Sequence, residues 1–459
     1  MVAIGIDVSK GRSTVSAVGE GKKVLQKPYD IYHTTEELKK LIEFARKFGD
    51  EVRVVMEYTG VYYQVVAETL HKAGIRVSVV NPVLIHKFGD NTLRKVVTDK
   101  TDSMKIARYA LENRDKLRDY ASDDEIRGSL KSFVRQFNFE NKTLSAHKNS
   151  LGALLERVFP GLDGIFPLSN PAKDDGSLKI ADFVTEFWHN DCVSLLTESK
   201  FIDKYKKFCQ KNRYNFSSST AKEIYGLSSK NLTSIGKTDT TKSLIQGAAK
   251  RVLQLSEAVE DLRSEMIKLA KQLPEFPAVT ALYGVGDTIA AQLIGEIGDV
   301  RRFESKRALV AFAGVDPGKD DSGKKVSKTG DISRSGDALL RKAVYQAVEV
   351  YLLRSPAGEP VYQFLDKKRS EGKHFFVYMT AACNKFLRIY YARIKEYLDS
   401  LETQTVDDCD VAEETDVIVN DSRINPTLSV NDNIAFTCEQ DSAMRERNTS
   451  GSQDFSLYG

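Results

Sequence analysis

Apolar residues in the first 115 positions alternate or cluster in short runs, which predicts strands at 2–8, 12–18, 22–28, 52–56 and 75–80. Three- to four-residue spacing between them predicts amphipathic helices near 35–48 and 61–73. The stretch Ser13-Thr-Val-Ser-Ala-Val-Gly19, followed by Glu20-Gly-Lys-Lys, predicts a hairpin with glycines at its turn. Farther on, residues 122–158 and 240–273 are long, charged and periodic. In the second of these, Leu244, Ala248, Val252, Leu255, Val259, Leu262, Met266 and Leu269 recur at three- and four-residue steps, as a coiled-coil seam does. Such a seam serves either two helices packed within one chain or self-association. Because the segment joins two regions with cores of their own, self-association is the expectation. Between the two long helices, 160–235 carries the lone tryptophan, Trp188, and overlaps a Ser/Thr/Lys-rich tract at 215–243, so it reads as an insertion.

This pattern divides the chain into an α/β domain at 1–120, a helical coiled-coil linker at 121–273 with its insertion, and a helical domain at 274–400. The last part, 401–459, reads as an acidic, disordered tail. Three antiparallel strands followed by helix, strand, helix and strand is the order of a ribonuclease-H-like or RuvC-like mixed sheet. The fold class is therefore α/β plus α, with a helix–hairpin–helix in the C-terminal helical domain. An actin-like sugar kinase begins the same way. It also needs a second Asp-Gly-Gly/Thr-type phosphate loop and a glycine-rich adenosine motif, and the sequence has neither.

Acidic residues close the apolar runs. Asp7 ends Val2-Ala-Ile-Gly-Ile6, Glu57 ends Val52-Arg-Val-Val-Met56, and Asp99 and Asp102 open a helical stretch. A carboxylate at the tip of a buried strand is costly unless it is paired or holds a cation. Acids brought by three separate elements point to a divalent-metal site acting on phosphodiesters, with Mg²⁺, or Mn²⁺ in its place, as the cofactor.

The net charge of +3 averages two unlike regions. From residue 401 onward there are 13 Asp+Glu against 3 Lys+Arg, so residues 1–400 carry +13, which suits a polyanionic partner. The five cysteines show no CxxC spacing, which argues against a zinc module and for a reducing compartment. No signal peptide opens the chain and no apolar run of about 18 residues is present. The expectation is a cytoplasmic, nucleoid-associated protein without a membrane partner.

The second half has two motifs of its own. Pro277 to Ile297 has the form of a helix–hairpin–helix, in which Gly284 and Gly286 permit a tight turn and the next helix N-terminus can receive a phosphate. A plain structural turn explains the same glycines. The stretch from Gly314 to Ala343 carries Ser322-Gly323 and Lys324 on a basic loop leading toward a helix with Arg334, Arg341 and Lys342. A serine among cations can attack a phosphodiester, and a loop residue in a basic contact strip has the same composition.

Taken together, Gly5-Ile-Asp-Val-Ser-Lys10, Glu57-Tyr-Thr-Gly-Val-Tyr62, Asn81-Pro82 and Asp99-Lys-Thr-Asp102 resemble the N-terminal domain of the DEDD insertion-sequence transposases, a family of bridge-RNA-guided serine recombinases. Tyr283 through Phe303, Ala311-Phe-Ala-Gly-Val-Asp-Pro317, Ser322-Gly323 and Ile332 through Arg341 resemble the same family's C-terminal domain. The resemblance implies that Ser322 attacks DNA to form a covalent phosphoserine link and that Asp7, Glu57, Asp99 and Asp102 hold Mg²⁺ beside the same phosphate. It also implies that Lys10, Gly284, Gly286, Lys324, Arg334 and Arg341 contact phosphate or nucleic acid. The implied partners are target and donor DNA, a structured guide RNA that supplies sequence choice by base pairing, and further copies of the chain in a dimer or tetramer.

Two departures from the family pattern stand out. The last acidic motif reads Thr98-Asp-Lys-Thr-Asp102-Ser, and a register shifted by three would put Lys105 in the fourth position. Lysine does not bind Mg²⁺, so Asp99 and Asp102 are preferred. Ser322 follows Asp320-Asp321, an acidic setting for a nucleophile directed at DNA. The alternative function is a metal-dependent endonuclease or junction resolvase that uses only the four carboxylates. A non-catalytic nucleic-acid scaffold is a third reading.

Overall fold

A computed structural model describes residues 1–58, 60–89, 99–120, 125–168, 179–316, 321–322, 325–326 and 336–416. Five strands, β1 (Val2–Ser9), β2 (Arg12–Val18), β3 (Val24–Tyr32), β4 (Val52–Glu57) and β5 (Val77–Val80), form one sheet in the order β3-β2-β1-β4-β5. The β1/β2 and β2/β3 pairs are antiparallel, whereas β4 runs parallel to both β1 and β5. This is the ribonuclease-H-like order. The third strand starts two residues later than expected and runs on to Tyr32. Glu20–Lys22 form a 3-10 turn with Gly21 at φ +68°, and the β2/β3 register shifts between Val15 and Val18.

Side-chain alternation divides the sheet between two cores. Ile4, Ile6, Val8, Val54 and Met56 face α1 (Thr35–Arg46) and α2 (Tyr62–Lys72), where Leu38, Leu41, Val66 and Leu70 are buried. Thr34 caps α1 by accepting from the Glu37 amide. Ala3 and Val55 face the other way, onto Ile85 of α3 (Pro82–Gly89) and Ile106, Tyr109 and Ala110 of α4 (Asp99–Glu112).

The linker is built on α5 (Glu125–Val158) and α11 (Asp239–Ala270). The expected self-association seam is corrected by their packing. Val252 and Met266 are buried, and Ala248, Leu255, Val259, Leu262 and Leu269 pack on cores that include α5's own Leu130, Val134, Leu144 and Leu151. The partner helix is thus in the same chain, and Leu244 alone of the seam stays largely exposed. The insertion folds as α6 (Leu162–Ile165), α7 (Lys179–Glu186), α8 (Asp191–Ser194), α9 (Glu198–Lys211) and α10 (Ser218–Lys230). Their aromatic core of Phe183, Phe187, Phe201, Tyr205 and Phe208 closes on one end of α5 and α11, with Trp188 at its edge.

The C-terminal region comprises α12 (Phe276–Thr280), α13 (Asp287–Ile297), α14 (Lys306–Ala313), the short strands β6 (Asp321–Ser322) and β7 (Lys325–Val326), α15 (Ala338–Arg354), α16 (Pro360–Ser370) and α17 (Phe375–Asp416). It shares a core with the other end of α5 and α11 through Leu130, Val134, Met266, Ile294, Val344 and Phe386. A buried Arg127–Glu275 ion pair ties α5 to the entry of α12. Residues Met1–Asp399 form one unit and Ser400–Gly459 another. The helical run to Asp416 corrects the disordered-tail expectation for 401–416, a stretch without glycine or proline to end a helix. The rest of the acidic tail lies outside the described residues. No helix among the described residues is long and apolar enough to cross a membrane.

Candidate functional site

The acids are gathered by the sheet's alternation. Ile4 and Ile6 face one core, so Gly5 and Asp7 face the other. Val54 and Met56 likewise leave Val55 and Glu57 on that second face. The parallel register sets Ile6 beside Met56, so Asp7, two residues before the end of β1, and Glu57, the last residue of β4, stand side by side on the face that α4 covers. A glycine determines how closely α4 can lie. A Cβ on Gly5 would stand 2.1 Å from the Ser103 carbonyl oxygen and 2.5 Å from the Ala107 amide. Ser103 is fully buried there, and Asp102 is its chain neighbour.

Electrostatics reports the same convergence. Burial first, then the Asp7 and Asp102 carboxylates, push the Glu57 carboxyl up to about 7 against the opposing Lys105 ammonium. Three carboxylates therefore share one neighbourhood, with the Lys105 ammonium beside them. Asp102 and Lys105, one turn apart on α4, both act on Glu57. Oxygen donors with excess negative charge suit a hard divalent cation. Among the described residues, no three acidic, His or Cys side chains are close enough to form a ready-made metal group. Asp99 opens α4, but its side chain lies outside the described residues.

The serine-bearing loop is described at its root. β6 and β7 pair antiparallel, with Ser322 opposite Lys325, while Lys324 and Arg334 lie outside the described residues. The loop leaves α14 at Gly314, which is left-handed at φ +67°, and returns at Gly336. These glycines are pressed together: a Cβ on Gly336 would lie 2.2 Å from the Phe312 carbonyl oxygen and 2.3 Å from the Gly314 amide. Arg341 braces this root through Nη1, which donates to the Ala313 carbonyl at 3.0 Å and the Gly336 carbonyl at 2.9 Å. Arg341, an expected phosphate contact, thus holds the loop's two ends through this nitrogen. Asp337 caps α15, its Oδ1 accepting from the Leu339 and Leu340 amides at 2.9 Å each. The helix that carries Arg341 and Lys342 starts there, and Arg334 lies outside the described residues.

The remaining expected contacts are spread out. Lys10 is exposed in the β1/β2 turn. Gly284 has φ +79°, and a Cβ on it would lie 2.7 Å from the Ala347 carbonyl oxygen of α15, so packing already requires a glycine there. Gly286 caps α13 in open space, with Asp287 in the first turn paired to Lys271 at 3.1 Å. Lys342 donates to Asn138 Oδ1 at 2.9 Å, and burial lowers its pKa. Sequence reasoning missed Gly5, Gly336 and Asp337. A lone glycine inside an apolar strand run is the signal that marks Gly5.

Comparison with known proteins places both ends of the chain in one family. A transposase family model, DEDD_Tnp_IS110, matches residues 4–160, and the Transposase IS116/IS110/IS902 family model matches residues 277–363. The pilin gene-inverting protein of Moraxella bovis is 22% identical over 346 residues, 75% of this chain and 80% of that protein. The insertion element IS110 uncharacterized 43.6 kDa protein of Streptomyces coelicolor is 20% identical over 400 residues, 86% of this chain and 94% of its own. Among solved structures, Thermus thermophilus RuvC is matched along its whole length by 26% of this chain, at 14% identity and a TM-score of 0.21. With an N-terminal and a C-terminal family model matched in order on one polypeptide, the chain belongs to the IS110 family of DEDD transposases, enzymes that act on DNA.

Proposed function

We propose that this transposase cuts and rejoins DNA through a phosphoserine link formed by Ser322, with Asp7, Glu57, Asp99 and Asp102 holding Mg²⁺ or Mn²⁺. The observation that carries the reading is the convergence of Asp7, Glu57 and Asp102 on the α4 face of the sheet, in a chain that also carries the family's second domain. When bound, the cation supplies positive charge beside the scissile phosphate.

In the cutting step the Ser322 hydroxyl oxygen bonds to phosphorus and a DNA oxygen leaves. The serine proton passes to a site carboxylate or to water, and the departing DNA oxygen takes up a proton. In the rejoining step a DNA hydroxyl attacks the phosphoserine, restores a phosphodiester and releases the serine. The number of ester bonds is conserved, so no outside energy source is required. The Gly314/Gly336 root, braced by Arg341, supports a fixed departure point for the serine loop. The +13 charge of residues 1–400 suits both DNA and a structured guide RNA. The relative in Moraxella bovis is named for inverting a gene, a cut-and-rejoin outcome. Assembly into a dimer or tetramer belongs to the same proposal, through surfaces other than the 244–269 seam.

The test uses the full chain with the RNA that copurifies with it and DNA spanning the ends of its own element. Ser322→Ala should abolish the covalent protein–DNA adduct and strand exchange, and Asp7→Ala should abolish cleavage of any kind. Mg²⁺-dependent cleavage that survives Ser322→Ala without an adduct would instead favour the water-using endonuclease.

A further inference from the structure

Arg135 stands on α5 where the acid-bearing and serine-bearing regions meet. Its Nε donates to Glu296 Oε1 and its Nη2 to Glu296 Oε2, each at 3.4 Å. The same Nη2 lies 3.5 Å from the Tyr58 hydroxyl and 3.7 Å from Asp337 Oδ2. These partners belong to three different elements. Tyr58 directly follows Glu57, and its amide donates to the Val80 carbonyl, so it is fixed to the tip of the sheet. Glu296 is on α13 with its side chain fully buried. Asp337 is the first residue after the Gly336 root, and it spends one carboxylate oxygen on the α15 cap and turns the other to Arg135.

Neutralising the buried Glu296 carboxylate would need a cation only. A lysine at 135 would do that, but its point charge lacks the planar fork that presents several donors at fixed angles. The extra reach of the guanidinium goes to the residue after Glu57 and to the residue after Gly336, the two places where the candidate site is hung from the scaffold.

We propose that Arg135 is a positioning residue that fixes the acid-bearing end of β4 and the root of the Ser322 loop to one helix, α5. It touches neither the acids nor the serine, and acts on them through Tyr58 and Asp337. The inference rests on the reading above, in which both parts serve one reaction.

The test uses the full chain with its copurifying RNA and DNA of the element's ends. Arg135→Gln alone strands a buried carboxylate, so the decisive variant is Arg135→Gln/Glu296→Gln, accompanied by Arg135→Lys and Tyr58→Phe. At saturating Mg²⁺ the double variant should form adduct about 10²-fold more slowly, the scale of a small misplacement of reacting groups. The Mg²⁺ concentration giving half-maximal rate should rise, by a smaller factor than the rate falls, because Glu57 keeps its strand pairing but loses part of its anchorage. Tyr58→Phe should show a smaller loss, and Arg135→Lys should recover part of the rate. Hydrogen exchange should quicken at the amides of Tyr58, Leu339 and Leu340 while Val54–Met56 stay protected. A double variant with wild-type rate and exchange would overturn the proposal, and so would a uniform rise in exchange across the sheet and α15. If Ser322→Ala still forms adduct, the underlying reading fails, yet the exchange measurement still decides whether Arg135 couples tip to root.

Discussion

The acid-bearing and serine-bearing regions are held in place by different structural means. Asp7, near the end of β1, and Glu57, at the end of β4, lie on adjacent parallel strands whose alternation, register and covering helix set the face they share. Ser322 belongs to a loop between Gly314 and Gly336, and what the fold fixes is the root, through two glycines in contact and the Arg341 side chain. A sheet positions charge by packing that extends over a whole domain, whereas a loop root does so with a few hydrogen bonds. Damage to the first should therefore appear in the metal response, and damage to the second mainly in the rate of covalent chemistry.

The largest expected effect is Asp7→Asn. Losing one of the converging carboxylates should cost several kcal/mol of transition-state stabilisation, a fall of about 10³-fold or more in Mg²⁺-dependent cleavage. The same change removes a like charge from Glu57, so a denaturant melt of the metal-free chain at neutral pH should show no loss of stability. A matched loss of stability would mean that the acids serve the fold.

Arg341→Ala should lower the rate of adduct formation by about 10²-fold while leaving Mg²⁺-dependent protection of the N-terminal region intact. Two charge-assisted bonds to carbonyls are lost, and unfolding should cost about 1–3 kcal/mol less. Equal damage to metal response would blur the contrast between the two regions. Gly5→Ala should destabilise the chain by about 1–3 kcal/mol, because the new methyl meets the Ser103 carbonyl and forces α4 away. The shift of Asp102 should then appear as weaker Mg²⁺ affinity.

The pH response has a definite sign. Glu57 has a pKa of about 7 in the fold against an ordinary value of 4.5. Between those values the folded state holds more protons than the unfolded one, so this group's contribution is full below 4.5 and is lost as pH rises through 7. Mg²⁺ competes with that proton. Urea midpoints in EDTA should fall over this window, and added Mg²⁺ should flatten the fall. The smallest effect is expected at the seam, where Leu244→Ser should change stability by no more than about 0.5 kcal/mol and leave oligomeric state in sizing experiments unchanged.

The sheet was legible because its period is two and each acid ends an apolar run. The seam shows the limit of such reading: periodicity reveals that a helix face is buried but not which chain supplies the partner, and here α5 does. Gly5, Gly336 and Arg341 owe their roles to contacts across 98, 24 and 28 positions, with Ser103, Phe312 and Ala313 respectively. No local pattern encodes such distances. Arg341's carbonyl partners become visible only when Gly314 and Gly336 are brought together. The helical run to Asp416 was missed because acidic composition outweighed the absence of helix breakers.

The most direct test is to trap the chain on DNA of its own element's ends in Mg²⁺, digest the complex, and identify the peptide that carries the nucleotide. The account predicts a phosphodiester on Ser322 in the wild-type chain and no adduct in the Asp7→Asn variant. An adduct on another residue, or complete cleavage with no adduct at any stage, would contradict it.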